Sequence, residues 1–196
     1  MMSITNPSTL HQRLRQATKE PHHALDHHPI LCALLKPDVS LIQYENALAA
    51  LHGIYAQTEA AILAYLQGHP DLFDYFSRRK LPALEADLAA LHRAPYPISK
   101  ACSGLDSIGA LFGTLYTLEG ATLGGQFIAG KLRLALPAHC PLQFYTVYGD
   151  QSRQRWNEFL HIADARCPPS DYETAAATAV ALFETIGAHL DEANDA

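Results

Sequence analysis

The segment with the most reactive side chains lies near the start of the chain and carries four histidines in seven residues: His22, His23, His27 and His28. Leu14, His22 and Leu25 share one face of a helix, which predicts that the His22 imidazole points toward the interior. Asp26 follows one turn later, where it could accept a hydrogen bond from the ring nitrogen facing away from a metal. Spacing alone leaves two alternatives open: a solvated polar face, or an adventitious metal pair formed by the second and third histidines.

Two basic residues precede this candidate ligand. Arg15 and Lys19 lie four residues apart, so a helix would place two cations within one or two turns of His22. A local basic cluster of this kind can bind a small anion even in an acidic chain. Pro21 has no backbone N–H, and we expect it to kink or loosen the helix directly before His22.

A glycine-rich stretch is the second unusual feature. Between Ser107 and Lys131 the chain predicts one long apolar helix that contains six glycines: Gly109, Gly113, Gly120, Gly124, Gly125 and Gly130. Each costs about 1 kcal/mol relative to alanine, so together they cost roughly 6 kcal/mol, which rivals the stability of a whole domain. Gly120 and Gly124 lie four apart and clear one helix face. We expect either close helix packing or a backbone that bends over something large and flat.

A third candidate site lies further along the chain. Glu158 and His161 have the Glu-x-x-His spacing that holds iron in carboxylate-bridged di-iron bundles. A di-iron site needs two such motifs and two further glutamates. Another pair at this spacing, His189 with Glu192, has the reverse order and lies near the C-terminus.

Helices must position these residues, because the chain shows no alternating strand pattern and no hairpin signal. The predicted helices after the histidine segment run from Ser40 to about Gln67, from Pro82 to about Arg93, from Ser103 to about Leu136, from Asp150 to about Ala165, and from Ser170 onward. Ser40 with Gln43, and Ser170 with Glu173, predict capping boxes. The expected fold is an all-α single domain over residues 1–196, with residues 1–9 disordered or extended.

The composition and charge of the chain argue against several classes of function. The chain has 196 residues, 48% hydrophobic residues and a formal net charge of −6, which argues against nucleic acid as the main partner. No run approaches the roughly 18 apolar residues of a membrane span, and the N-terminus lacks the features of a signal peptide. The four cysteines show no paired spacing and predict reduced thiols. We therefore expect a cytoplasmic protein without a membrane partner.

Two motifs together resemble a known family. They are Leu14-Arg15-x-Ala17-Thr18-Lys19-Glu20-x-His22 and Tyr116-x-Leu118-Glu119-Gly120-x-x-Leu123-Gly124-Gly125. The chain resembles the biliverdin-producing haem oxygenases, most closely the bacterial branch that includes partners of bacteriophytochromes. Supporting similarity lies at residues 52–55 and 155–157, and the resemblance runs from about Leu10 to Ala165. It implies a helical bundle that holds haem between the first helix and a glycine-kinked distal helix.

The resemblance also implies roles around the iron. His22 matches the proximal iron ligand, and Asp26 matches an acidic residue beside that ligand. Gly120 and Gly124 match distal glycines whose missing side chains leave room for bound oxygen, and Gly125 is the neighbouring small position. The implied reaction uses oxygen and external electrons to hydroxylate a meso carbon of the haem and open the ring, giving biliverdin, carbon monoxide and ferrous iron.

Further roles follow from the same resemblance. Arg15 and Lys19 match basic residues that face the haem propionates, and Tyr116 and Arg153 are further candidates for that role. The family's usual electron donor is a ferredoxin with its reductase, and a bacteriophytochrome would accept the biliverdin.

One position departs from the mammalian pattern. Mammalian members carry an aspartate directly after the first distal glycine, where it holds the water that delivers a proton, whereas this chain has Ala121. Thr122, backbone carbonyls or another polar group must then hold that water. The departure keeps two alternatives open: a haem-binding carrier or sensor on the same fold, or a helical enzyme using di-iron or thiamin-type chemistry.

Overall fold

The computed structural model describes residues 9–98 and 104–195, and this part of the chain contains α-helices, short 3-10 turns and no strand. The helices are α1 Leu10–Ala17, α2 Lys19–Asp26, α3 Pro29–Ala33, α4 Leu41–Gln67, α5 Leu81–Ala90, α6 Ile108–Ala135, α7 Ser152–Arg166 and α8 Tyr172–Asn194. The predicted all-α fold is confirmed. Of the predicted disordered or extended start, residues 1–8 lie outside the described residues, and Thr9 is extended and caps α1.

The part of the chain predicted as one first helix is divided among α1, α2 and α3, so that prediction is wrong. α1 ends at Ala17, and α2 begins directly after Thr18. Pro21 explains the break, because it has no N–H to donate to the Ala17 carbonyl and fits the first turn of a new helix. The Thr18 hydroxyl donates to the Leu14 carbonyl at 2.8 Å. His28 caps the short α3, since its ring nitrogen accepts from the Ile30 N–H.

The structure confirms one of the two predicted capping boxes. Ser40 and Gln43 form the predicted capping box at the start of α4. The box predicted for Ser170 and Glu173 is wrong, because residues 169–171 form a 3-10 turn and α8 begins at Tyr172. Glu173 instead forms an ion pair with Arg13 of α1.

The distal glycine helix starts later than predicted. α6 begins at Ile108, where the Ser107 hydroxyl accepts from the Ala110 N–H, whereas the predicted start at Ser103 lies outside the described residues. The glycines do not interrupt α6, which is continuous from Ile108 to Ala135.

Two of the glycines serve the packing of α6 on α8. A Cβ placed at Gly109 would lie 2.7 Å from the Asp171 carbonyl oxygen, and one at Gly113 would lie 2.2 Å from the Ala175 carbonyl oxygen. Real Cβ atoms do not approach backbone so closely, so only glycine permits this contact. Close helix packing therefore explains Gly109 and Gly113.

The buried core joins all the longer helices and leaves one open side. Its largest fully buried side chains come from α1, α4, α5, α6 and α7 and from the connections between them. Above this core, α2 and the second half of α6 face each other, with α8 beside them. Among the described residues, no helix is long and apolar enough to cross a membrane.

Candidate functional site

A cavity of about 480 Å³ separates α2 from the glycine-rich half of α6. Its size falls within the range of about 300–1,000 Å³ that small-molecule sites occupy. The lining is largely apolar and comes from α2, α3, α4, α6, α7, α8 and two connecting segments. It includes His22, Leu25 and Asp26 on α2, Tyr116, Gly120, Ala121, Gly124 and Gly125 on α6, Trp156 on α7, and Phe183 and Ile186 on α8.

The proximal wall is built around a hydrogen-bonded pair. The Nδ1 atom of His22 lies 2.9 Å from an Asp26 carboxylate oxygen, one turn along α2. An N–H at Nδ1 that donates to this carboxylate leaves Nε2 as the free, unprotonated nitrogen of a neutral ring. The Phe183 ring of α8 lies 5.5 Å from the His22 ring between centroids and limits its rotation. The His22 side chain lines the cavity and is 57% exposed, so its ring is not buried in the interior as the helical spacing predicted.

The opposite wall is bare helix backbone. A Cβ at Gly124 would meet nothing within 4 Å, and one at Gly120 would reach only the Trp156 ring at 3.6 Å. Packing therefore does not require glycine at either position, although both line the cavity. Gly125 differs, because its Cβ would lie 3.2 Å from the Tyr145 carbonyl oxygen. Gly120 and Gly124 keep side chains out of the space that faces His22.

The four residues expected to face the haem propionates do not all line the cavity. Tyr116 lines it and packs 5.5 Å from the Trp156 ring. Burial raises the pKa of Tyr116, while the nearby Thr18 hydroxyl and Arg15 cation act in the opposite direction. Arg15 is thus exposed beside a wall residue. Lys19, one turn before His22, and Arg153 on the first turn of α7 are exposed and do not line the cavity in this structure.

Sequence reasoning missed a buried ionic network directly behind the distal wall. Glu119, which precedes Gly120 on α6, is 0% exposed. Its carboxylate accepts from Arg78 at 2.8 Å, from the Tyr148 hydroxyl at 3.0 Å and from the Lys80 ammonium. A lone glutamate inside the apolar α6 pattern was the available signal, because a buried carboxylate needs cationic partners.

Lys80 connects this network to the cavity, which it helps to line. Its side chain is 1% exposed and its ammonium lies about 5 Å from the Tyr75 and Tyr148 rings. Burial lowers the pKa of Lys80, whereas the attraction of Glu119 opposes that shift. The result is an ion pair that fixes the start of the glycine-rich half of α6.

A second buried carboxylate ties the segment before α5 to α4. Glu59 accepts from the backbone N–H groups of Lys80 and Leu81 and from the Tyr75 hydroxyl. Arg79 pairs with the same carboxylate at 3.2 Å. These bonds hold Lys80 in place through its backbone.

The other candidate metal ligands either bind other side chains or lie at the surface. Glu158 accepts from Arg78 at 3.0 Å and from Gln154 at 2.8 Å, and His161 is exposed. His23 and His27 stack at 4.2 Å between centroids on the surface of α2 and its end. Within the described ranges, no group of three or more histidine, cysteine or acidic residues is close enough to hold a metal ion.

Comparison with known proteins identifies the family. The family model described as "Heme oxygenase" matches residues 8–191, well beyond the span from about Leu10 to Ala165 over which the motifs resemble that family. A heme oxygenase from Xanthomonas campestris pv. campestris is 32% identical over 114 residues, which cover 58% of this chain and 66% of that relative, just under two thirds of its length.

Solved structures show the same fold. A heme oxygenase from Neisseria meningitidis, determined with NO and CO bound, has a TM-score of 0.77 and 21% identity, with 94% of this chain and 92% of that chain covered. Heme oxygenase-1 from the cyanobacterium Synechocystis, in complex with heme, has a TM-score of 0.73 and 18% identity over 94% and 92% of the two chains. With the family match over nearly its whole length, the chain belongs to the haem oxygenase family.

Proposed function

We propose that this haem oxygenase binds haem in the cavity between α2 and α6, where the Nε2 atom of His22 would hold the iron. The observation that carries the proposal is the opposition of two walls across one apolar cavity. One wall presents the His22–Asp26 pair at 2.9 Å, and the other presents backbone at Gly120 and Gly124. A flat apolar ring with a ligand-binding metal at its centre fits between such walls.

The donor set fits haem iron. A neutral imidazole is a common ligand of haem iron, and the second ring N–H of a ligating histidine usually donates to a carboxylate, a backbone carbonyl or water. Asp26 holds the His22 ring in the required tautomer and orientation. Haem, when bound, supplies both the iron that activates oxygen and the ring that is opened to biliverdin, carbon monoxide and ferrous iron.

Other residues at the cavity exclude water, leave room for the haem and neutralise its propionates. Gly120 and Gly124 leave room above the ring, and the adjacent apolar side chains keep bulk water from that side. Arg15 and Lys19 are exposed cations, and Arg15 lies near Tyr116 of the cavity wall. We assign both to the propionates, to which their flexible side chains can turn. Arg153, one turn before Trp156, is a further candidate for the same role.

Ring opening with oxygen consumes electrons, which an external donor must supply. We propose a ferredoxin with its reductase as the donor and the cytoplasm as the compartment. A bacteriophytochrome that takes up biliverdin is the partner suggested by the motif resemblance.

The ligand assignment is tested by titrating hemin into the wild type, His22→Ala and His23→Ala. His23 is the matched control, because it is the exposed neighbour and does not line the cavity. We expect the wild type and His23→Ala to give the same Soret maximum, and His22→Ala to give a shifted maximum that added imidazole restores. Identical spectra for all three proteins would contradict the assignment.

A further inference from the structure

Two of the four histidines near the start of the chain have no part in the proposed haem site. His23 and His27 lie four residues apart, in the last turn of α2 and at its C-cap. Both are exposed, and neither lines the cavity. Their rings stack with 4.2 Å between centroids and 26° between planes. The two imidazoles therefore form a close pair at the exposed end of α2.

A hydrogen bond sets the tautomer of His27. Its Nδ1 atom lies 2.8 Å from the His23 carbonyl oxygen. A carbonyl oxygen only accepts hydrogen bonds, so Nδ1 carries the proton and Nε2 is the unprotonated nitrogen of the neutral ring. Histidines that bind metal ions usually have this arrangement, in which the other ring nitrogen donates to a carboxylate, a backbone carbonyl or water. The His27 ring is thus held as the tautomer that binds metal through Nε2.

The spacing and the position of the pair both favour a cation. Two histidines four residues apart on one helix face can bind the same ion, as in zinc sites of the H-E-x-x-H type. The carbonyl groups at the C-terminal end of a helix also carry a partial negative charge, which attracts cations to the last turn. Within residues 9–98 and 104–195, no third histidine, cysteine or acidic side chain is close enough to join the pair in a metal site. Water therefore completes the coordination.

We propose that His23 and His27 bind one divalent transition-metal ion at the surface, through one ring nitrogen of each side chain. Ni²⁺, Cu²⁺ and Zn²⁺ are ions of this class that imidazole suits. The inference goes beyond the proposed function, because this site is separate from the cavity and does not require haem.

A bound ion stabilises the end of the helix that carries His22. α2 is eight residues long and none of its residues is buried, so few buried contacts hold its last turn. The two imidazoles meet at one ion only when residues 23–27 keep their helical arrangement, so metal binding opposes the opening of that turn. At a free Ni²⁺ concentration of about 100 times Kd, an opening that separates the two ligands is suppressed about 100-fold.

The first test titrates Ni²⁺ into the haem-free protein and measures binding by calorimetry in the wild type, His23→Tyr and His27→Gln. Tyrosine at position 23 keeps an aromatic ring beside His27 and keeps the carbonyl that orients it, but supplies no imidazole. We expect the wild type to bind one ion per chain at this site. Each variant should bind it at least about 10-fold more weakly, because losing only the outer partner of a metal ligand already costs about 10–100-fold in affinity.

His69→Ala is the matched control. The Nδ1 atom of His69 donates to the Tyr65 carbonyl at 3.0 Å, and the two rings stack with 4.4 Å between centroids. This is the same local arrangement with a phenol in place of the second imidazole, so His69→Ala should bind Ni²⁺ as the wild type does. The inference is overturned by a wild type without saturable binding, by unchanged affinity in His23→Tyr and His27→Gln, or by an equal loss in His69→Ala.

The second test measures amide hydrogen exchange of residues 19–28 by mass spectrometry, with and without saturating Ni²⁺. We expect Ni²⁺ to slow this exchange in the wild type and to leave it unchanged in His23→Tyr. Unchanged exchange in the wild type, or equal slowing in the two proteins, would contradict the stabilising role of the ion. Both measurements use the haem-free protein, so their outcome is independent of the haem assignment.

Discussion

Replacing single glycines of α6 by alanine should separate the glycines that packing requires from those that the cavity requires. Each replacement removes a helix-interior glycine, which is worth about 1 kcal/mol of stability where nothing obstructs the new methyl group. Gly124 and Gly130 both have open space within 4 Å of their Cβ positions, but only Gly124 lines the cavity. We therefore expect both variants of the haem-free protein to gain about 2–4 °C in Tm.

Gly113→Ala should have the opposite effect. Its Cβ would lie 2.2 Å from the Ala175 carbonyl oxygen and 3.0 Å from the Ala175 carbonyl carbon, and backbone atoms of α8 cannot rotate away. Forcing the helices apart costs up to about 3 kcal/mol, against a helix-propensity gain of about 1 kcal/mol. The net loss of about 2 kcal/mol should lower Tm by roughly 4–8 °C.

Thermal unfolding followed by circular dichroism measures all three variants, and the hemin-loaded proteins supply the second readout. Gly124→Ala should slow loss of the Soret band under oxygen and reductant, because its methyl group enters the cavity, whereas Gly130→Ala should react like the wild type. Equal stability of Gly113→Ala and Gly130→Ala would refute the packing argument. A destabilised Gly124→Ala, or a normal reaction rate in that variant, would refute the argument that this glycine serves the cavity.

Two further predictions concern groups outside the cavity. Glu119→Gln should destabilise the protein by about 3–5 kcal/mol and lower Tm by roughly 6–20 °C, because it leaves Lys80 buried without its carboxylate and Arg78 with only the partly exposed Glu158. Glu158→Gln, at a 42% exposed side chain, should cost less than about 1 kcal/mol. Similar melting curves for the two variants would contradict this. Burial, with Asp171 and Asp164 nearby, raises the pKa of Cys167 to about 11. Mass spectrometry at pH 8 should therefore show its alkylation to be at least about 100-fold slower in the native protein than in urea, and comparable rates would disprove it.

Local sequence patterns predicted the helices and the two segments that line the cavity from opposite sides. Helical periodicity and the Ser40 capping box are local signals, and α4 follows them. The spacing of His22 and Asp26 is also local, and the structure brings the two side chains to 2.9 Å. The kink expected from Pro21 directly before His22 lies one turn earlier, as a break at Thr18, because Pro21 leaves the Ala17 carbonyl unpaired.

Contacts between residues far apart in the sequence could not be predicted from local patterns. Gly113 and Gly124 look alike in the chain, yet one abuts α8 and the other faces open space. Glu119 finds its partners about 40 residues upstream in Arg78 and Lys80, and no periodicity encodes that pairing.

The central claim is that this chain opens the haem that it binds between α2 and α6. The direct measurement supplies the hemin-loaded protein with oxygen and an electron source, follows the Soret band and identifies the pigment formed. The account predicts that the Soret band disappears as biliverdin and carbon monoxide are produced. A Soret band that persists through oxygen and reductant would contradict the account and identify the protein as a haem carrier or sensor on this fold.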